Sequence, residues 1–342
     1  MDKLVKPFQE LDEVLEIPDS RVPDFASNYT NIIGQLELLV GGTKLHKLTY
    51  RYANLFTKLE HQNFFGSIKD RPALYILKKA IEQNLIRQQT TVIESTSGNF
   101  GIALASICKA LKVKFIAVVD PNISSEKERI LRLNKADIIK VTESDPTGGY
   151  LLNRIKTVKR FLSDNPNSYS PNQYENPNNY LAYYHTLGKE ISNAFSRLDY
   201  AFISVSTGGT ITGLSNHLKE QFKGIKIIGV DVQGSLIFSD KPAIRKISGM
   251  GASMRTSLFD KALIDDFVIL SQAEIIKGSR DLLDEHNLFL GGSAGAAYAA
   301  ADMFLKKMNK KEVNAIFISP DSGSSYLDTL YNSDWVAKNI LI

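Results

Sequence analysis

The stretch TVIESTSGNFGIALASICKALKVKFIAVVD (91–120) holds the pattern that decides the fold. TVIES (91–95) is a short apolar run that opens on β-branched residues and ends in the small-residue turn Ser95-Thr96-Ser97-Gly98-Asn99. Residues 98–112 then carry their apolar side chains at helical spacing, and KFIAVVD (114–120) is a second apolar run. Strand, helix and strand in that order make a unit with parallel strands, and apolar residues on both strand faces mean a sheet covered on both sides. Outward from this unit the alternation repeats. DIIKVT (137–142), YAFISVS (200–206), KIIGVDV (226–232) and AIFISP (315–320) read as further strands. Helices are expected at about 70–84, 125–134, 150–163, 211–222, 273–286 and 294–308, with Ser125 and Glu128 spaced as a capping box.

Length and composition bound the rest. At roughly 100–200 residues per domain, 342 residues suggest about two domains. Hydrophobic residues at 43% and charged residues at 23% exclude wholesale disorder. No apolar run reaches the roughly 18 residues of a membrane span, and the acid-studded amino terminus has no secretory h-region. Forty-one Lys+Arg against 37 Asp+Glu leave +4, spread without a basic block, so neither nucleic acid nor membrane is expected as a partner. The single cysteine, Cys108, allows no intrachain disulfide, suits a reducing cytoplasm and lies on an apolar helix face as a core residue. Five scattered histidines lack metal-ligand spacing, so no metal is expected.

Residues 1–33 carry seven acids, three bases and the breakers Pro7, Pro18 and Pro23, and read as an arm. The Asn-, Pro- and Tyr-rich stretch DNPNSYSPNQYENPNNYLAYYH (164–185) interrupts the alternation and marks a domain boundary. GSLIFSDKPAIRKISGMGASMR (234–255) is too long for an ordinary connection and is expected to be functional.

Ligands of open parallel sheets bind beyond the carboxyl ends of the strands, where helix N-termini offer free N–H groups. Three small-residue turns sit there: 95–99, Ser206-Thr207-Gly208-Gly209-Thr210 and Gly291-Gly292-Ser293-Ala294-Gly295. The second suits a phosphate best, because its glycines admit an anion to the backbone and its hydroxyls add donors. Neither GxxxxGK[ST] nor GxGxxG is present, so nucleotide readings lack their fingerprints. Each turn alone is also explained as a tight turn with an N-cap. In Gly66-Ser67-Ile68-Lys69-Asp70-Arg71-Pro72 a lysine opens a helix, where the dipole disfavours a cation. Such a lysine can lose its proton readily or react as an amine, with Asp70 offsetting the dipole and Arg71 structural.

Taken together, GSIKDRP, STSGNFGIALA, QYENPNN, STGGT, GGSAGA and DSGSSYL, across about residues 34–335, resemble the fold type II pyridoxal-phosphate enzymes of the cysteine synthase and cystathionine β-synthase family. The resemblance implies an α/β fold of tryptophan synthase β type, with two doubly wound parallel-sheet domains and pyridoxal 5'-phosphate in the cleft between them. The larger domain would be residues 34–61 plus 173–342, and the smaller, mobile one 62–172. By position, Lys69 would bind the cofactor covalently and move the substrate's α-proton. Asn99 would bond its 3′-oxygen, Ser206, Thr207, Gly208, Gly209 and Thr210 its phosphate, and Ser293 its ring nitrogen. Ser95, Thr96, Ser97 and Gly98 would hold the substrate α-carboxylate.

Within this family VDPNIS, GGYLLNRI, NQYENPNN, DVQGSLIFSDKPAIRKISGMGAS and YLDTLYNSDW are similar to the N-(2-amino-2-carboxyethyl)-L-glutamate synthases of L-2,3-diaminopropionate and siderophore pathways. That implies O-phospho-L-serine and L-glutamate as substrates, reacting through an α-aminoacrylate, and a homodimer. A dianionic leaving group calls for arginine, and Arg154 and Arg255 are the candidates. Tyr174 and His185 flank the domain crossing and could line the second-substrate site. Cysteine synthesis from sulfide and O-acetylserine or O-phosphoserine, or a non-catalytic cofactor-binding subunit, are the competing readings. Ser206 stands where ordinary cysteine synthases have glycine, and Ser324-Ser325 replaces a charged pair of their tail motif.

Overall fold

The computed structural model describes residues 25–340, except Ser97, Pro146, Thr147, Asn309 and Lys311. Its strands are β1 (Leu45–Lys47), β2 (Asn54–Leu59), β3 (Thr91–Ser95), β4 (Lys114–Val119), β5 (Asp137–Lys140), β6 (Ser168–Tyr169), β7 (Tyr200–Ser204), β8 (Lys226–Val232), β9 (Asp266–Leu270) and β10 (Asn314–Ser319). Its helices are α1 (Phe25–Glu37), α2 (Asp70–Glu82), α3 (Asn99–Ala110), α4 (Ser125–Leu133), α5 (Leu151–Asp164), α6 (Asn178–Tyr183), α7 (Lys189–Ala194), α8 (Gly209–Gln221), α9 (Gln272–His286), α10 (Gly292–Met308) and α11 (Ser333–Asn339).

The strands form two sheets, ordered β1-β2-β10-β7-β8-β9 and β5-β4-β3-β6. All pairings are parallel except β1 with β2 at one edge. All six strands expected from apolar runs are present. The sequence pattern does not show β2, because NLFTKL is neither continuously apolar nor regularly alternating. Thr57 and Lys58 are nevertheless buried, and the Thr57 and Ser319 hydroxyls share a 2.7 Å hydrogen bond between β2 and β10. Strand β9 (DFVIL) is half-buried at the other edge.

Two local expectations change. The N-cap of α4 is Ser124, whose Oγ accepts from the Lys127 N–H at 3.2 Å, so Ser125 is already inside the helix. Glu128 instead pairs with Arg132 and Lys140. A full capping box does occur at Ser271 and Glu274, ahead of α9. The arm expected over 1–33 contains the start of α1, whose Tyr29, Ile33 and Leu36 pack in one core with α2 and α3. Residues 1–24 lie outside the described part. Cys108 sits in that same core.

Small residues bring α9 and α10 together. A Cβ on Gly278 would lie 2.3 Å from the Gly295 carbonyl oxygen, and one on Gly295 would lie 2.0 Å from Ser279 Oγ. This close approach seats the start of α10, and with it Ser293, against the carboxyl ends of the six-stranded sheet.

A buried ionic cluster ties the two sheet systems together. The Arg71 guanidinium donates to both Glu60 oxygens (2.6 and 2.9 Å) and to both Glu190 oxygens (2.7 and 3.0 Å). Lys58 Nζ donates to Glu190 at 2.6 Å, and Thr43 Oγ1 donates to Glu60. Two cations and two anions cancel, so the charge is balanced inside the protein. Burial opposes ionisation of Glu190, but Arg71 and Lys58 hold its carboxyl down at about 2. Replacing Arg71 by Met leaves Glu60 buried without its cation and is expected to cost about 3–5 kcal/mol of stability. Urea unfolding of Arg71→Met against the native protein measures this. Arg71→Lys is expected to be destabilised too, because one ammonium cannot make two bidentate pairs.

Candidate active site

Beyond the carboxyl ends of β7 and β10 lies a cavity of about 40 Å³, partly open to solvent. Lys69, Ser206, Thr207, Gly208, Thr210 and Ser293 line it, with Pro320 and Gly249. Six residues singled out from three separate sequence motifs therefore meet around one space. Lys69 immediately precedes α2, and its turn is tied to the end of β10: the Ile68 N–H donates to the Pro320 carbonyl at 2.8 Å. Burial pushes the Lys69 amine down to about 8, and the Asp321 carboxylate opposes that shift. Desolvation, and not the helix dipole, is therefore the main cause. Asp70 does not balance the lysine. It accepts from the Phe65 N–H at 2.6 Å, and burial pushes its carboxyl up to about 7.

The 206–210 turn is shaped by its glycines. Gly208 has φ +91°, and a Cβ there would meet the Phe259 ring at 2.8 Å. A Cβ on Gly209 would lie 2.2 Å from Asn179 Oδ1. Any other residue would push the turn off its support. Thr256 Oγ1 donates to the Thr207 carbonyl at 2.7 Å, and Ser206 Oγ donates to the Gly251 carbonyl at 3.2 Å. The irregular 234–255 stretch thus buttresses this turn. The first N–H groups of α8 lack helical partners by construction and face the place an anion would take.

Asn99 begins α3 on the four-stranded sheet and reaches across: its Nδ2 donates to Asp321 Oδ2 at 2.8 Å. Ser95 and Thr96 are buried at the end of β3, and Gly98 precedes α3. Ser97 lies outside the described residues. Arg154 is buried and faces Asp120 at 3.3 Å. Tyr174 is near Arg154, Ser95 and Glu94, behind the 95–99 turn. Arg255 is exposed, stacks over Phe259 at 5.5 Å and does not line the cavity. His185 stacks on Tyr75, also outside the lining.

Several residues of the site have no role read from the sequence, although Gln173 and Asn179 bound the QYENPNN motif and Asp321 opens DSGSSYL. Gln173 Nε2 donates to the Ser95 carbonyl at 3.1 Å, and Asn179 Nδ2 donates to the Gln173 carbonyl at 2.6 Å. Gln173 and Asn179 therefore connect the 95–99 turn to Gly209. Glu94, 1% exposed, accepts from the Asn172 N–H at 2.7 Å and from Ser170 Oγ at 3.2 Å. Asp321 directly follows β10, and position at a strand's carboxyl end was the available signal.

An amine near neutrality, a helix N-terminus with hydroxyls, and a neutral serine fit the aldehyde, phosphate and ring nitrogen of pyridoxal phosphate. A model of the pyridoxal-phosphate dependent enzyme family matches residues 36–321. The chain belongs to that family. It is 39% identical over 304 residues to a protein of Ralstonia nicotianae named N-(2-amino-2-carboxyethyl)-L-glutamate synthase, covering 87% of this chain and 90% of that one. It is also similar to the solved O-acetylserine dependent cystathionine beta-synthase of Helicobacter pylori, at 33% identity and TM-score 0.80, over 86% of this chain and 97% of that one. A hydrogen sulfide-producing enzyme of Fusobacterium nucleatum aligns at 29% identity and TM-score 0.80, over 86% of this chain and 99% of that one. The chain is thus a fold type II pyridoxal-phosphate enzyme of β-replacement. When bound, the cofactor supplies the electron sink for the substrate's α-carbon. Among the described residues no helix is long and apolar enough to cross a membrane.

Burial pushes the Glu94 carboxyl up to about 7, against the hydrogen bonds it accepts. An unfolded glutamate releases its proton near pH 4.5. Between those two values the folded state holds the proton and the unfolded state does not, so stability falls as pH rises from about 4.5 to about 7. The loss is of the order of 3 kcal/mol and is complete above pH 7. Asp70, also raised to about 7, contributes a slope of the same sign, so Glu94→Gln is expected to shrink the fall in urea midpoint between pH 5 and pH 8 without abolishing it, which measuring both proteins at the two pH values will reveal.

Proposed function

We propose that this enzyme joins O-phospho-L-serine and L-glutamate, giving N-(2-amino-2-carboxyethyl)-L-glutamate and phosphate, a step toward L-2,3-diaminopropionate. In the reaction the Cβ–O bond of phosphoserine breaks, a Cβ–N bond forms to the glutamate nitrogen, and that nitrogen gives up a proton. The observation that carries this reading is the likeness to the Ralstonia nicotianae synthase over nearly the full length of both chains. In this reading Lys69 takes the α-proton and returns it, which a neutral amine near pH 8 can do. Asn99, Ser293 and the 206–210 turn orient the cofactor, and the 95–98 segment binds the α-carboxylate. Arg154 and Tyr174, grouped behind that segment, serve the phosphate-bearing substrate. Arg255 would reach it only through movement of its loop.

Residues 62–172 form, in the same proposal, a smaller domain that closes on the substrate over a larger one of 34–61 plus 173–342. Closure keeps water from the reactive intermediate. The family resemblance adds a cytoplasmic homodimer, which sedimentation of the purified protein checks. Cysteine synthesis from sulfide and O-acetylserine or O-phosphoserine is the second reading; O-acetylserine is the substrate that the name of the similar Helicobacter pylori enzyme specifies.

Product mass separates the two. Protein supplied with phosphoserine and O-acetylserine, glutamate and sulfide is expected to form N-(2-amino-2-carboxyethyl)-L-glutamate and to release phosphate. Cysteine as the dominant product overturns the proposal in favour of the second reading. Lys69→Ala is expected to lower turnover by about 10³-fold or more, as loss of an acid–base group does.

A further inference from the structure

Outside the residues assigned above, Asp321 is a buried titratable group directly behind the cavity, next in the chain to its lining residue Pro320. It is 5% exposed at the end of β10. Its Oδ2 accepts from Asn99 Nδ2 at 2.8 Å and from the Tyr326 hydroxyl at 2.9 Å. Its Oδ1 is buried with no hydrogen-bond partner among the described residues and lies over Gly291, where a Cβ would sit 2.1 Å away. Its backbone pairs with Ser67 in an isolated antiparallel bridge, two residues before Lys69, and its carbonyl accepts from the Gly291 N–H at 3.1 Å. One residue thus joins three parts of the site: its backbone bridges to the lysine turn, and its carboxylate meets the start of α3 and the glycine turn that leads to Ser293.

From this placement we propose that Asp321 is a positioning residue of the site: its carboxylate anchors the Asn99 amide across the cleft and, from the strand end bridged to Ser67, sets a negative charge beside the lysine turn that favours the ammonium of Lys69. The inference rests on Lys69 being the residue that captures the cofactor. The titratable groups facing Asp321 are Lys69, His61 on the turn after β2, and Tyr326 and Tyr331 on the carboxy-terminal side. Lys127 on α4 stands 6.0 Å from the Tyr326 ring. Burial favours the neutral amine and Asp321 favours the ammonium, so the two act against each other at Lys69. Tyr326 and Asn99 spread the carboxylate's charge by hydrogen bonding. Removing the charge must shift Lys69 one way, and removing a donor must shift it the other. A role in packing alone predicts neither direction.

Full-length protein freed of cofactor is mixed with pyridoxal phosphate at a series of pH values and reduced with borohydride, and the tagged Lys69 peptide is quantified by mass. The initial rate of tagging should rise with a midpoint near pH 8 in the native protein. Asp321→Asn should lower the midpoint by about one unit, raising tagging at pH 7 about fivefold, from roughly a tenth to roughly half of its plateau. Tyr326→Phe should raise it. An Asp321→Asn midpoint equal to or above the native one overturns the inference. If that variant is not soluble, a Tyr326→Phe midpoint at or below the native one does so. Tagging at a lysine other than Lys69 overturns the site assignment itself, whereas an unmoved midpoint with Lys69 tagged overturns only the part given to Asp321.

Discussion

The Arg71 guanidinium, held by two carboxylates at once, is the constraint on which the rest of the site depends. Arg71 lies two residues after Lys69 on the first turn of α2. Glu60 follows β2, Glu190 belongs to α7, and Lys58 comes from β2 itself. A helix whose core lies with the four-stranded sheet is thereby fixed to elements of the six-stranded one. The planar fork of arginine makes this geometry possible, since four of its donors can meet two carboxylates in one plane. With the start of α2 fixed, the lysine amine is held at the cavity wall and away from water, and the desolvation that lowers its proton affinity follows.

The cavity itself is assembled from backbone more than from side-chain charge. Gly208 and Gly209 let the 206–210 turn sit directly on Phe259 and Asn179. The close approach of α9 and α10 through Gly278 and Gly295 places Ser293 at the mouth of the sheet. A net charge of +4 says little about a protein that recognises anions in this way. Its donors are N–H groups at helix starts and hydroxyls, which no charge count registers.

The strands and helices of the alternating region were legible because each is apolar with a clear period. Strand β2 was not, because its buried Thr57 and Lys58 are polar residues satisfied by partners outside the strand, Ser319 for the first and Glu190 and Thr43 for the second. Helix α1 was masked by the acids and prolines around it, and only contact with α2 and α3 shows why Tyr29, Ile33 and Leu36 are where they are. The capping box read at Ser125 lies one residue off. Either Ser124 or Ser125 could start a helix, and the choice is made where the chain leaves the preceding turn.

The sequence by itself determined the layered α/β fold, the three small-residue turns and the lysine at the start of α2, because period and turn chemistry are local properties. Only the tertiary structure decided that two of the turns line one cavity with Lys69 while the third is tied to it through Asn99 and Asp321, that Arg154 is buried near Tyr174 while Arg255 lies at the surface, and that Asp321 bridges to the lysine turn. Those outcomes depend on contacts between residues far apart in the chain, 222 positions for Asn99 and Asp321 and more for Ser67 and Asp321. Burial sets the proton affinities of Lys69 and Glu94, and burial is a property of the folded chain alone.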